Sequence, residues 1–273
     1  MTTIEGENDM AKAWKKFESD TTNYLQDNFG SYATFIQKGA SDSTTPDIEV
    51  TTAITSFYIE AKKCSAQCSQ FVLFPNDSTK RFEYSGRNFT PLNNHSLQII
   101  AHMNQNFDTF KKAGTKGVDI IFDNAEQTFV NWILDYYKSK NVKYFITNNF
   151  KILPIANFGQ HFAVTAQYRI KKSGSSAVGK TNANVIVRHI YDLGYNIDAH
   201  RLAGSKVFVS SQMPLDKQKF KYDQYTYMFA ERGTQYEIRK LSNTDNKNVI
   251  FSITNKNLPG LTKDDFISAL ILC

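Results

Sequence analysis

Three side chains of this sequence are of the types that hydrolyse phosphate esters: Asp47, Glu60 and Lys62. Read as a strand, Phe57-Tyr58-Ile59-Glu60-Ala61-Lys62 alternates its side chains. Phe57, Ile59 and Ala61 then share one face, and Tyr58, Glu60 and Lys62 the other. A carboxylate and an ammonium stand about 7 Å apart on that second face, at a rise of ~3.3 Å per residue. Asp47 opens a short strand upstream, and hairpin pairing of the two would set its carboxylate beside that of Glu60. A hard cation such as Mg²⁺ takes oxygen ligands, which two carboxylates, water and a scissile phosphate can supply. The cation acidifies a water and neutralises charge developing on the phosphate oxygens. A lysine near that water orients it, or deprotonates it if the site depresses its pKa. A surface hairpin with an ordinary Glu/Lys pair would present the same triplet, so the spacing alone leaves both readings open.

The elements that must position these groups follow from periodicity. Residues 10–28 predict an amphipathic helix, with Trp14, Phe17, Thr21, Tyr24 and Leu25 at three- and four-residue steps and a stop at Asn28-Phe29-Gly30. Residues 31–37 predict a strand, and the polar run 41–46 breaks the pattern. Short strands are expected at 47–50, 57–62 and 70–74, the last closing before Pro75-Asn76-Asp77. Residues 97–110 have a helical pattern diluted by Asn and Gln. Residues 129–139 predict a helix with Phe129, Trp132, Ile133, Tyr136 and Tyr137 on one side, and 142–147 a buried strand. Strand, helix and strand in that order predict an α+β fold, a mixed sheet flanked by helices. Beyond residue 150 the texture is of short strands, at 151–155, 162–171, 206–210, 225–230, 236–240 and 249–253, with one helix at 184–193. Gly174-Ser175-Ser176 and Ala203-Gly204-Ser205 are the expected boundary loops.

The chain has 273 residues, 41% of them hydrophobic, enough for a substantial core, and a formal net charge of +6 that suits a polyanionic partner. Cys64 and Cys68 lack a second Cys or His cluster to complete a tetrahedral zinc site, so free thiols are expected. His95, His102, His161, His189 and His200 form no ligand spacing. The first twenty residues contain no apolar core of a signal peptide, and no apolar run approaches the ~20 residues that span a bilayer. These features predict a cytoplasmic protein.

Pro46-Asp47 followed by Glu60-Ala61-Lys62 resembles the signature of the PD-(D/E)XK nuclease superfamily. Collinear stretches at 38–48, 57–62, 67–73, 129–140, 168–175 and 241–253 resemble one type II restriction endonuclease within it. The resemblance is weak over 88–127 and 177–238. At one departure Pro46 stands where that enzyme has serine, restoring the superfamily's usual proline. The resemblance implies a Mg²⁺-dependent enzyme, Mn²⁺ substituting, that cuts double-stranded DNA at a short palindrome, GCGC. It also implies a monomer partnered by a cognate DNA methyltransferase. Its parts would be a PD-(D/E)XK catalytic domain at 1–150, a sequence-recognition segment at 151–203 and a β-rich DNA-binding portion at 204–273.

The expected metal set is Asp47, Glu60, Ala61 and Glu18. Glu18 follows Trp14 by one helical turn on or beside the apolar stripe, where an unpaired carboxylate is costly, and a glutamate of the first helix often joins the metal site in this superfamily. Its alternative is a partly exposed helix glutamate. Gln70, ahead of Gln67, is placed to hold the phosphate or the attacking water. Glu49 is a rival ligand on the face of Asp47, and Lys63 is expected to point away from Lys62 and meet phosphate. The stretch Tyr168, Arg169, Lys171, Lys172, Ser173 and Ser175 is the expected reader of bases, since Arg pairs bidentately with guanine. A basic edge strand touching only phosphates is the alternative. Lys206, Lys217, Lys219, Lys221, Arg232, Arg239, Lys240 and Lys247 make the last third basic, as a DNA-holding surface or an ordinary solvated face. A nicking or repair nuclease with the same centre, or a catalytically idle DNA-binding protein, are the competing functions; a binding module has no need of Asp47, Glu60 and Lys62 together.

Overall fold

The computed structural model describes residues 5–38, 45–172, 174–242 and 245–272. The chain forms two compact units, Met1–Arg169 with Asn248–Cys273, and Ile170–Lys247. In order the first unit carries α1 (Glu5–Phe29), β1 (Thr34–Gln37), β2 (Ile48–Thr51), β3 (Ser56–Ala61), β4 (Ser65–Asn76), β5 (Arg81–Tyr84), α2 (Asn94–Gln105), α3 (Phe107–Lys111), β6 (Val118–Asp119), α4 (Ala125–Ser139), β7 (Val142–Thr147), β8 (Lys151–Pro154) and α5 (Phe158–His161). Strand β9 (Phe162–Lys172) runs on into the second unit, which carries β10 (Ser175–Ala177), α6 (Ala183–Asp192), β11 (Ala199–Ala203), β12 (Lys206–Ser210), β13 (Lys219–Tyr222), β14 (Tyr225–Arg232) and β15 (Gln235–Leu241). The chain returns through β16 (Asp245–Asn255) and ends in α7 (Lys263–Leu272).

The first sheet has the order β1-β2-β3-β7-β8. Its pairs are antiparallel except the central β3–β7 pair, which is parallel, and the intervening chain supplies the crossover that parallel pairing requires. This is the mixed sheet the sequence predicts. Phe57, Ile59 and Ala61 face a core shared with Leu25 and Phe29 of α1 and with Phe266 and Leu270 of α7. Phe57 and Ile59 are fully buried there, and each such side chain stabilises the fold by about 1.5–3 kcal/mol. A one-residue slip of β3 would exchange them for Tyr58 and Glu60, so the apolar face fixes the register.

A second cluster lies around α4, joining Trp132, Ile133 and Tyr137 to Phe145 of β7 and to Phe71 and Phe251 of the neighbouring sheet. That sheet has the order β5-β4-β16-β9-β6. The Trp132 ring stacks on Phe251 at 4.6 Å. The helical pattern of 97–110 resolves into α2 and α3, broken at Asn106, whose side-chain amide donates to the His102 carbonyl at 3.0 Å. An Asn that satisfies a helix-end carbonyl in this way ends the helix rather than merely diluting it.

The second unit is a sheet of order β11-β12-β15-β14-β13, with β10 beside β15. Helix α6 covers it through Ile186 and Ile190, packed on Val207, Val209, Phe229 and Ile238. The boundaries expected at 150 and 203 do not coincide with either unit edge. Local pattern could not show that β16 pairs with β4, far upstream in the sequence. No helix among the described residues is long and apolar enough to cross a membrane.

Candidate active site

The pairing Ile48↔Ile59 continues by one step to set Asp47 across from Glu60. The Ala61 N–H donates to Asp47 Oδ2 at 2.9 Å and fixes that carboxylate. The end of β3 is held in turn by β7, in the register Ala61↔Ile146, with the Lys62 N–H donating to the Ile146 carbonyl at 2.9 Å. Lys62 Nζ lies 2.6 Å from Glu60 Oε1 and 3.8 Å from Asp47 Oδ2. All three side chains are buried. The alternation read from the sequence therefore puts one cation and two carboxylates in a single buried cluster.

Two residues of α1 close the cluster. The Trp14 ring lies 5.3 Å from Lys62 Nζ and 6.0 Å from Lys63 Nζ. Lys63 thus shares the ring with Lys62 instead of pointing away from it, a correction to the strand-alternation expectation, because β3 ends at Ala61. Glu18 is 4% exposed and accepts from Gln37 Nε2 at 3.3 Å. It is a third buried carboxylate and acts electrostatically on Asp47. Glu49, the rival ligand, is instead paired with Lys38 at 2.9 Å.

Burial, then the Glu60 charge and more weakly Glu18, push the Asp47 carboxyl up to about 7, against the downward pull of Lys62 and the Ala61 N–H. For Lys62, burial favours the neutral amine, but the Glu60 and Asp47 carboxylates outweigh it and hold the ammonium above its ordinary range. This balance favours the ionised, water-orienting lysine of the two roles open to it.

Among the described residues no three His, Cys, Asp or Glu side chains form a metal cage by themselves. The donor set still fits a hard cation. Asp47 and Glu60 bring two carboxylates to one buried point, and the raised Asp47 carboxyl reflects burial first and then the neighbouring Glu60 charge. Mg²⁺ commonly binds through one or two carboxylates with water and substrate phosphate for the rest. Among the described residues the polar contacts engage Asp47 Oδ2 and Glu60 Oε1, leaving Oδ1 and Oε2 for a cation.

Gln67 and Gln70 are three residues apart and in a regular strand would face opposite ways. A bulge in the β4–β16 ladder intervenes: Phe251 pairs Ser69 and Ser252 pairs Gln67, so Cys68 has no partner. Gln67 and Gln70 consequently emerge on the same exposed side, with Gln67 Nε2 donating to Gln70 Oε1 at 3.0 Å. Bulges often sit beside active sites because they re-aim side chains. Cys68 itself is buried, and burial pushes its thiol up to about 12.

The base-reading stretch divides. Tyr168 is fully buried on β9, and its hydroxyl donates to the Leu73 carbonyl at 3.0 Å. The expectation that it touches DNA is corrected: it is a core anchor, packed edge-on against Phe82. Arg169 is half-buried, with its Nε shielded from solvent and without a hydrogen-bond partner. Gly117, at φ +84°, brings its Cα so close that an added Cβ would lie 3.0 Å from Arg169 Cβ. Lys171 is exposed. Ser173 and the Lys172 side chain lie outside the described residues. Ser175 is engaged by Arg239, whose Nε donates to its hydroxyl at 3.2 Å. Arg239 is itself braced by the buried Glu237 at 2.6 Å.

Sequence reasoning did not find Tyr137, read only as an apolar helix position. Its hydroxyl lies 3.0 Å from Glu60 Oε1, across 77 residues of sequence. Helical periodicity carries no signal for such a contact.

No family model and no curated protein matches the chain. A solved structure of HhaI endonuclease in complex with DNA does, at 38% identity and a TM-score of 0.82, covering 95% of this chain and 99% of that one.

Proposed function

Since the chain belongs to the family of HhaI, a type II restriction endonuclease, we propose that it cuts double-stranded DNA at GCGC using Mg²⁺, with Mn²⁺ able to substitute. The class is that of a type II site-specific deoxyribonuclease, and a restriction endonuclease of this kind requires a divalent metal. What most supports the catalytic reading is one observation: Asp47, Glu60 and Lys62 converge in a buried cluster at the end of β3.

In this reading Asp47 and Glu60 hold the cation, with the Ala61 N–H orienting Asp47 and Glu18 adding negative charge behind it. When bound, the cation supplies Lewis-acid chemistry, acidifying water and neutralising charge on the scissile phosphate. Lys62, ionised and 2.6 Å from Glu60, stabilises negative charge that builds on the phosphate oxygens. Gln70, steadied by Gln67, presents its amide toward phosphate or water. Arg169 and Lys171, with Lys172 and Ser173, read the bases, and Ser175 fastens that segment to Arg239. The enzyme works as a monomer in the cytoplasm beside a DNA methyltransferase that protects the host's own sites.

Digestion of unmodified plasmid with Mg²⁺, followed by sequencing of the ends, tests this. Discrete fragments ending within GCGC are expected. Nicked circles alone would indicate a nicking or repair nuclease, and intact plasmid an idle DNA-binding protein.

A further inference from the structure

Tyr137 of α4 is 2% exposed, and its ring packs edge-on against Phe145 at 5.0 Å. A phenylalanine would fill that space without burying a hydroxyl, which is costly unless hydrogen-bonded. The hydroxyl's single proton is shared between two acceptors, the Cys68 carbonyl at 2.7 Å and Glu60 Oε1 at 3.0 Å. The Cys68 thiol reaches the same phenolic oxygen at 3.7 Å. Cys68 is the residue of the β4 bulge that has no opposite number in the register of β16. Tyr137 therefore links the bulge to the carboxylate.

Lys62 and Tyr137 both fall on the same Glu60 oxygen, Oε1. Two donors on one oxygen fix the rotation of the carboxylate and leave Oε2 without either. We propose that Tyr137 is a positioning residue of the nuclease: its hydroxyl, anchored on the bulge, turns Glu60 so that Oε2 meets the cation. This rests on the reading of Glu60 as a metal ligand.

The test is Tyr137→Phe in the full chain, compared with Glu60→Ala and Glu60→Asp. Single-turnover cleavage of a GCGC duplex is measured against Mg²⁺ concentration. Mn²⁺ affinity is measured by calorimetry on enzyme held on a duplex with a non-hydrolysable linkage. For Tyr137→Phe the half-saturating Mg²⁺ and the Mn²⁺ Kd should both rise by roughly ten- to a hundredfold, the loss expected for one hydrogen bond to a charged group. DNA affinity without metal should stay within about twofold of wild type. In Glu60→Asp, whose shorter carboxylate sits outside the reach of Tyr137, adding Tyr137→Phe should cost little more, the non-additivity of a coupled pair. A merely structural tyrosine would lower the melting temperature and cost the same in both backgrounds. Metal affinity unchanged in Tyr137→Phe would overturn the proposal. Wild-type cleavage by Glu60→Ala would instead overturn the reading beneath it.

Discussion

Replacing Asp47 by asparagine should abolish cleavage and yet stabilise the metal-free protein at alkaline pH. The side chain keeps its shape and can still accept the Ala61 N–H, but it loses its charge. Asp47 has a carboxyl pushed up to about 7 in the folded protein, against an ordinary value of 3.8. The folded state then binds the proton more tightly than the unfolded chain does. Its contribution to stability is full below the unfolded value, drains away as pH rises through the window and is gone above the folded value. Each pH unit in the window is worth about 1.36 kcal/mol, so the ceiling is about 4 kcal/mol. In EDTA, Asp47→Asn should therefore be more stable than wild type at pH 8 by about 1–4 kcal/mol, and the difference should shrink toward pH 5. For a chain of this size that is several degrees of melting temperature, at about 2–4 °C per kcal/mol. Added Mg²⁺ should raise the wild-type melting temperature much more than that of the variant. Melts at pH 5, 6, 7 and 8, with and without Mg²⁺, measure all of this. A variant less stable than wild type at pH 8, or a difference independent of pH, would refute the argument that Asp47 carries uncompensated charge.

Glu60→Ala or Lys62→Ala should lose cleavage by about a thousandfold or more while specific binding to GCGC persists, as gel shift beside a digestion assay would show. Cleavage at near wild-type rate in either variant would remove it from the catalytic centre. Mg²⁺ and Mn²⁺ should support cutting, EDTA should stop it, and Ca²⁺ should permit binding only, because Ca²⁺ takes more ligands at longer distances and activates water poorly. Arg169→Ala or Lys171→Ala should weaken binding to GCGC by roughly ten- to a hundredfold if the residue reads guanine, with scrambled duplex unaffected. Equal losses on both duplexes, with the log–log salt slope shallower by about one, would make that residue a phosphate contact.

Much of the catalytic core was legible because its signals are short in range. The facing of β3 follows from Phe57, Ile59 and Ala61 against Glu60 and Lys62, and Asp47 reaches Glu60 through a hairpin of neighbouring strands. What the sequence hid depends on distance. Tyr168 looked polar-tipped and available beside Arg169, but its hydroxyl finds Leu73 on a strand 95 residues away. Gln67 and Gln70 appear to oppose each other until the Cys68 bulge is known, and only the partner strand β16 reveals it. The electrostatics of Lys62 were hidden for a different reason: proximity was readable, but the balance between burial and two carboxylates is a property of three-dimensional packing. The edges of the two compact units were not readable because β9 and β16 are long strands with no Gly or Pro to mark where one unit ends.

The lateness of β16 has a consequence for the order in which the enzyme comes into being. Asp47, Glu60 and Lys62 are among the first quarter of the chain to leave the ribosome, and their own strands pair with segments made before residue 155. The ladder that seats β4 is not available until Ile250 and Phe251 have been synthesised opposite Gln70 and Ser69. Pairings this distant in sequence form slowly, since the intervening loop must first be closed. A nascent chain therefore carries the cleaving groups for most of its translation without the strand that sets Cys68, Gln67 and Gln70 in place.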